Sequence, residues 1–501
     1  MNVRVPKFKA CPALMVSIVL LCAANPAQAW PLKMSGEITT PFLDPLGVRP
    51  VQLDMGKTLP GDKAPMLCAS VGGVLQGLSL DVLNALVDLT LTQAVDLALC
   101  NNAQVKGTWA AIKVQSAGLG EARAAYLPTV NVGASQIRDR VWYPNAAQPA
   151  PAATALSGMT VNTSLSWRLL DFGGRAANAG SASALLDGAL ASHDAALQKV
   201  LSSVIGAYFD AQTALATLAA RQKIESLARQ TLQATTRREG RGVGAQSDTL
   251  QAATAEAKTS LEKTRAQGAL QKALSVLVYA LGINPAMSSG LTLAADLTDP
   301  QDSFDPNIGA WLEQAQLQHP AIIAARAQLT AAHNKVTVAQ SEGMPSLDLT
   351  GNFYQNGRPN QGLPALKTRE VLVGVAVNIP LFDGFGRTYK VRGAQATVEQ
   401  REAELQDAEQ QVLTEVVKTH ADARSALENL RSSSILITAA QDAMASVQRK
   451  FDRGAADILE ILSTQSALSD AQQERIRCLA EWRSARLRLL AAAGGLGREG
   501  L

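Results

Sequence analysis

Aromatic residues make up only 4% of this 501-residue chain, and histidine occurs four times. His193, His319, His333 and His420 are scattered without metal-ligand spacing, and His319 and His333 read as surface helix residues. No Gly-x-x-x-x-Gly-Lys-Ser/Thr loop occurs, so ATP is not a direct energy source. Gly240, Gly242 and Gly244 separate two helical runs with no strand before them, which argues against a phosphate loop. Signals for an enzyme or a bound cofactor are nearly absent. Charge is scarce in the net: +3 gives no case for nucleic acid as a partner. Beyond the N-terminus no run of about 18 apolar residues exists, which excludes a membrane-spanning helix there.

The N-terminus carries Arg4, Lys7 and Lys9, an apolar run from Ala13 to Ala24, then Ala27, Gln28 and Ala29 before Trp30. That is the layout of a cleaved secretory signal over residues 1–29. Leu21 before Cys22 is too large for a lipoprotein site. Export would leave Cys68, Cys100 and Cys478. An odd count suggests one pair and one leftover thiol: a Cys68–Cys100 bridge, with Cys478 a small core residue on a late helix. Three free thiols are the alternative, because spacing alone does not fix a bridge.

The ordered part is built twice. SWRLLDFGGR (Ser166 to Arg175) closes a strand-like run and opens a long helical one, and it returns as NIPLFDGFGR (Asn378 to Arg387), 212 positions later. Gly242 and Gly282 recur as Gly454 and Gly494, and Val204, Ala211, Leu215 and Leu218 as Val416, Ala423, Leu427 and Leu430, at the same offset. Upstream the offset is 217, relating Pro128 to Pro345. The difference reads as a longer first hairpin loop in the Ala- and Pro-rich stretch Asn145 to Gly158.

Residues 30–88 are a proline-bearing, irregular extension. A first repeat over 89–298, a linker over 299–307, a second repeat over 308–495 and a short tail over 496–501 follow. In the first repeat a helix runs from Leu91 to the Leu127-Pro128 stop. Thr129 to Trp142 and residues 159–170 alternate as strands. Val161, Thr163, Leu165, Trp167 and Leu169 share one face against polar neighbours. The run from Arg175 to Arg238 lacks proline and spans about 95 Å as one helix. GRGVGAQSD breaks it, and a helix from Thr249 to Leu281 returns. The second repeat follows the same plan, with a break at Pro320, strands at Leu347 to Phe353 and Val371 to Leu381, and helices on either side of DRGAAD.

Four strands do not close a barrel, and their open edges call for oligomerisation. Three copies give twelve strands, each near the 9 to 11 residues that cross a membrane as a barrel strand. A periplasmic coiled-coil scaffold is the reading from another class. It gives no reason to expose Val371, Val373, Val375 and Val377 on one face of a hairpin.

Together the Leu127-Pro128 stop, the LLDFGGR and LFDGFGR joints, the RGVGAQSDTLQA and RGAADILEIL breaks and the ALG and AAG ends resemble the TolC-like outer-membrane efflux and secretion channels, over essentially the whole mature chain. The resemblance implies a mainly α fold with a transmembrane barrel: a homotrimer whose 12-stranded barrel lies in the outer membrane, in contact with its lipid, and continues as a helical tunnel through the periplasm. It also implies an adaptor protein and an inner-membrane ABC transporter or other pump as partners. The ALCNN run around Cys100, with Cys68 upstream, is similar to the subgroup serving type I protein secretion. Multidrug efflux is the alternative.

By that resemblance Glu460 falls on a carboxylate that narrows the closed tunnel entrance, and Asp248 on its counterpart in the first repeat. A solvated acid at a helix start is the alternative reading of Glu460. Arg241 and Arg453, beside the breaks, either pair with Asp248 or Asp452 or are exposed tip charges. Phe451 and Ala456 depart from the family's hydrogen-bonded lock, and Ser463 stands where the family has a second gate carboxylate. Asp171, Gly174, Asp383 and Gly386 are the residues of the strand-to-helix joints.

Overall fold

The computed structural model describes residues 88–142, 153–284, 290–294, 307–358, 363, 367–453 and 455–495, all within the unit Asp44–Leu501. The expected signal segment, Cys68, most of the N-terminal extension, most of the linker and the tail lie outside the described residues.

The first helical run begins at Thr90, whose hydroxyl accepts from the Gln93 amide while the Gln93 side chain accepts from the Thr90 amide, closing a reciprocal cap. Helix α1 spans Leu91–Asn101 and α2 Ala103–Ala124. Between them Asn102 adopts an extended conformation, ends α1 and caps α2 by accepting from the Gln104 amide at 2.8 Å. The single helix expected from Leu91 is therefore two, because Asn competes for backbone donors and favours a cap over a helix interior.

Strands β1 (Thr129–Trp142) and β2 (Ala153–Leu170) follow, then α3 (Gly174–Gly240) and α4 (Gln246–Ala280). The second half gives α5 (Ile308–Gln318), α6 (Pro320–Ser341), β3 (Ser346–Gln355), β4 (Arg369–Asn378), α7 (Gly386–Asp452) and α8 (Ile458–Ala492). Corresponding helices have identical lengths of 11, 22, 67 and 35 residues, so the duplication seen in the sequence is a duplication of structure. At 67 residues, α3 and α7 are each about 100 Å long.

The expected break at Pro320 is present. Pro320 occupies the first helical position, where a missing amide costs nothing, and His319 caps the helix through Nδ1 to the Ala321 amide at 3.2 Å. His319 is thus a cap and not a plain surface helix residue. Burial lowers its basicity, consistent with a ring nitrogen that accepts a hydrogen bond.

Each break is clasped by the end of the repeat. Gly282 and Gly494 end α4 and α8 with φ of 72° and 78°. A Cβ on Gly282 would sit 2.8 Å from the Asn101 carbonyl carbon, and one on Gly494 3.1 Å from His319 Cα. Asn102 also donates to the Ala280 carbonyl at 3.4 Å.

The sheet order is β1-β2-β3-β4, antiparallel throughout. Strands β1 and β2, at 14 and 18 residues, exceed the expected 9 to 11, whereas β3 and β4 have 10 each. The extra length of the first hairpin is thus strand and not the longer loop expected from the sequence, since 10 residues separate β1 from β2 and 13 separate β3 from β4. Strand β4 stops before Pro380, so Ile379 and Leu381 lie beyond it and not on its face.

Apolar packing gathers in three clusters. One joins α1, α3 and α4 around Leu201, Val204 and Leu277; another joins α5 to α8 around Val416 and Trp482 and includes the free, buried Cys478. The third, around Phe451, Ile458 and Ile461, fixes the far ends of the long helices.

Candidate channel wall, joints and helix tips

Directly paired residues in an antiparallel sheet share a face, so the register sorts every strand residue. One face carries the rows Trp167, Leu349 and Val375; Val130, Leu165, Gly351 and Val373; and Val132, Thr163, Phe353 and Val371. The other carries Asn131, Ser164, Asn352 and Leu372, with Ser166, Thr350 and Gly374 in the next row but one. In the single chain Val371, Val373, Val375 and Val377 are 62 to 74% exposed. An apolar face left open on this scale is a surface awaiting lipid or protein.

Charges on the polar face are matched. Arg168 donates to Asp348, directly opposite it, at 2.9 Å. Arg358 binds both oxygens of Glu370, one of them from Nε at 3.0 Å. Strands β1 and β4 are the sheet's two edges.

The strand-to-helix joints repeat one solution. Asp171 accepts from the Arg175 amide at 2.8 Å and from Arg175 Nε at 3.0 Å. The same guanidinium donates to the carbonyls of Arg168 and Leu169 and lies 4.8 Å from the Tyr126 ring. Asp383 accepts from the Arg387 amide at 2.8 Å, and Arg387 donates to the Pro380 carbonyl at 3.3 Å. A carboxylate at a helix start satisfies an orphan amide and faces the positive end of the helix dipole. Arg175 and Arg387 then hold the strand end to the helix, a role that sequence reading did not assign them.

Each joint needs a left-handed backbone at two consecutive positions: Phe172 and Gly173 with φ of 50° and 94°, Gly384 and Phe385 with 66° and 67°. A bulky residue held there is strained by about 1–3 kcal/mol. Gly174 has no room for a side chain against Ser341, while a Cβ on Gly386 would meet only Asp383, at 3.7 Å.

At the tips, Glu460 lies in the first turn of α8, whose cap is Asp457. Its carboxylate is 3.6 Å from Lys450 Nζ at the end of α7, and both side chains are about half exposed. Asp248 lies in the first turn of α4 beside Ser247, 3.3 Å away. Arg241 and Arg453 are the C-terminal caps of α3 and α7; both are exposed, and among the described residues neither makes an ion pair. Asp452 instead accepts from Gln448 at 2.9 Å.

The residue that bridges the repeats at this end is Arg238. It donates to the Phe451 carbonyl and sits 4.5 Å from that ring's centre. Phe451 is 3% exposed and Ala456 packs against the same cluster, so apolar packing and a cation–π contact hold the tips together there. Deeper along the coil, Arg221 of α3 donates to Glu262 of α4 at 2.9 Å and to Ser469 of α8 at 2.6 Å, and Gln465 donates to Thr231 at 2.9 Å. The cross-repeat contacts of Arg238 and Arg221 were invisible to motif reading, since Phe451 and Ser469 lie more than 200 residues away.

Cys100 is disulfide-bonded; its expected partner Cys68 lies outside the described residues. His193 is buried, accepts or donates through Nδ1 to Thr108 at 2.8 Å, and is held below the ordinary imidazole range by burial. A cleft of about 400 Å³ between α3, α7 and α8 is lined by charges of both signs, among them Asp210, Asp422, Arg477 and Arg488. Among the described residues there is no cluster of metal-ligating side chains, and no helix is long and apolar enough to cross a membrane.

The sequence matches the family described as outer membrane efflux protein over residues 94–283 and 311–495, one block in each repeat. Protein CyaE of Bordetella pertussis is 36% identical over 414 residues, 82% of this chain and 85% of that protein. Outer membrane protein TolC of Escherichia coli is 22% identical over 446 residues, 85% and 87% of the two chains. Among solved structures, the outer membrane protein VceC of Vibrio cholerae superposes with a TM-score of 0.69 at 20% identity, covering 81% of this chain and 96% of VceC.

Proposed function

Because the chain belongs to the outer membrane efflux protein family, its place is the outer membrane, and we propose that three copies close a 12-stranded barrel there, continued by the paired long helices as a periplasmic tunnel. One observation carries this reading: a four-stranded sheet with an apolar face, a polar face and two open edges. Joining β1 of one copy to β4 of the next removes every edge, turns the valine rows to lipid and encloses the polar face around water. The apolar residues recur every second position along all four strands, the alternation that the outward face of such barrels shows. The repeats over 89–298 and 308–495, joined by 299–307, then give each copy two equivalent hairpins for the wall and two for the tunnel.

The helix tips, about 100 Å from the sheet end of α3 and α7, are the surface for an adaptor and an inner-membrane pump. Glu460 and Asp248 are the carboxylates of the entrance, and Arg241 and Arg453 its outward charges. The role needs neither catalytic residues nor a cofactor. The cargo of this reading is a polypeptide, supported by the likeness of the Cys100 region to the type I secretion subgroup; a Cys68–Cys100 bridge would tie the N-terminal extension to α1. Deleting the gene tests the cargo. Loss of a polypeptide from the medium with unchanged susceptibility to small toxic compounds is expected, and raised susceptibility with unchanged secretion would transfer the role to small-molecule efflux.

A further inference from the structure

The sheet segregates its charges by face. Every acid on the four strands, Asp139, Asp348 and Glu370, lies on the polar face by register. Each has its own partner: Asp139 accepts from the Leu363 amide at 3.1 Å, Asp348 from Arg168, and Glu370 from Arg358. The apolar face has no acid at all on the strands, yet it carries Arg138 and Arg140 on β1 and Arg369 on β4, all exposed.

These arginines occupy one end of the face only. Above the row of Val132, Thr163, Phe353 and Val371 come Ala134, Val161, Gln355 and Arg369, then Gln136 with Met159, then Arg138 with Ser157. The apolar band therefore terminates in cations at the hairpin-loop end, the end opposite the helices. A lipid-facing arginine costs about 2–4 kcal/mol at mid-bilayer and nearly nothing at the interface, so the arginines mark where the hydrocarbon ends. At that level the groups of opposite charge are lipid phosphates, and guanidinium binds phosphate in a bidentate fork.

We propose that Arg138 and Arg369 form a binding site on the outer wall for phosphate-bearing lipid headgroups of the leaflet at the hairpin-loop end. The site rests on the barrel reading above, which turns this face to lipid. Because β1 and β4 are the edges that meet between copies, the two arginines belong to neighbouring strands across each subunit boundary, and a bound headgroup there also ties copies together.

The test uses the full-length protein purified in mild detergent and offered diphosphorylated lipid A or the same lipid with its phosphates removed, with retained lipid read by native mass spectrometry. The phosphorylated form should be retained in preference. R138Q/R369Q should lower its retention roughly tenfold, the scale of losing one charge-assisted contact, while R138K/R369K keeps most of it and R424Q, on an exposed stretch of helix, keeps all. Equal retention of both lipids, or unchanged retention by R138Q/R369Q, overturns the site. Displacement by inorganic phosphate at equal phosphate concentration overturns it as a lipid site. If the unaltered protein fails to reach the outer membrane on fractionation, the barrel reading falls and the site with it.

Discussion

Glu460 and Lys450 face each other across the turn between α7 and α8, 3.6 Å apart and half exposed, a pair worth about 0–1 kcal/mol in water. So weak a bond leaves the carboxylate available to a passing cation, while Lys450 partly cancels its charge. Two substitutions should therefore act in opposite directions on divalent-cation block of single-channel current in planar bilayers. E460A weakens the block, and K450Q strengthens it by exposing three uncompensated carboxylates around the axis. Unchanged block in both variants would leave Glu460 a solvated acid at a helix start. The acid itself was legible, because the RGAADILE break repeats RGVGAQSD. Its lysine was not, since a partner ten residues upstream across a helix break follows no period. The contact of Arg238 with Phe451 escaped for the same reason on a longer scale. Burial shows that Phe451 sits in an apolar cluster with Ile458 and Ile461, a packing that no motif announced.

Among the elements, the strands and long helices were readable because their periods of 2 and 3.6 persist for many residues. The interruption at Asn102 was not, since one capping residue changes the chain direction without disturbing the apolar pattern on either side. Its counterpart at His319 was visible only through Pro320. The glycines that clasp these breaks give a graded test by thermal or denaturant unfolding of the detergent-solubilised protein. G282A forces a side chain into the left-handed region and against the Asn101 backbone, and should cost upwards of about 2 kcal/mol. G494A, similarly left-handed but with slightly more room, should cost less. G393A, inside α7 with nothing within 4 Å of the added carbon, should stabilise by about 0.5–1 kcal/mol. Equal effects of the three would mean that the clasps do not fix the helix breaks.

For the molecule as a whole, the duplication was the most legible feature, and the matched helix lengths show why a constant offset of 212 persists: no residue was gained or lost between the joint and the end of the returning helix. The offset upstream differs because the strands of the first hairpin are longer, and not its loop: 10 residues separate β1 from β2, against 13 between β3 and β4. What single-chain reasoning leaves open is the closing of the sheet, since an edge records that a partner is needed and not how many. Three copies bring the strands to twelve and leave no edge. The most direct test is the mass of the assembly extracted from the outer membrane in mild detergent, measured by native mass spectrometry. Three chains per particle, dissociating together on heating, are expected, whereas a stable particle of one chain that still conducts in planar bilayers would rule out closure by three copies.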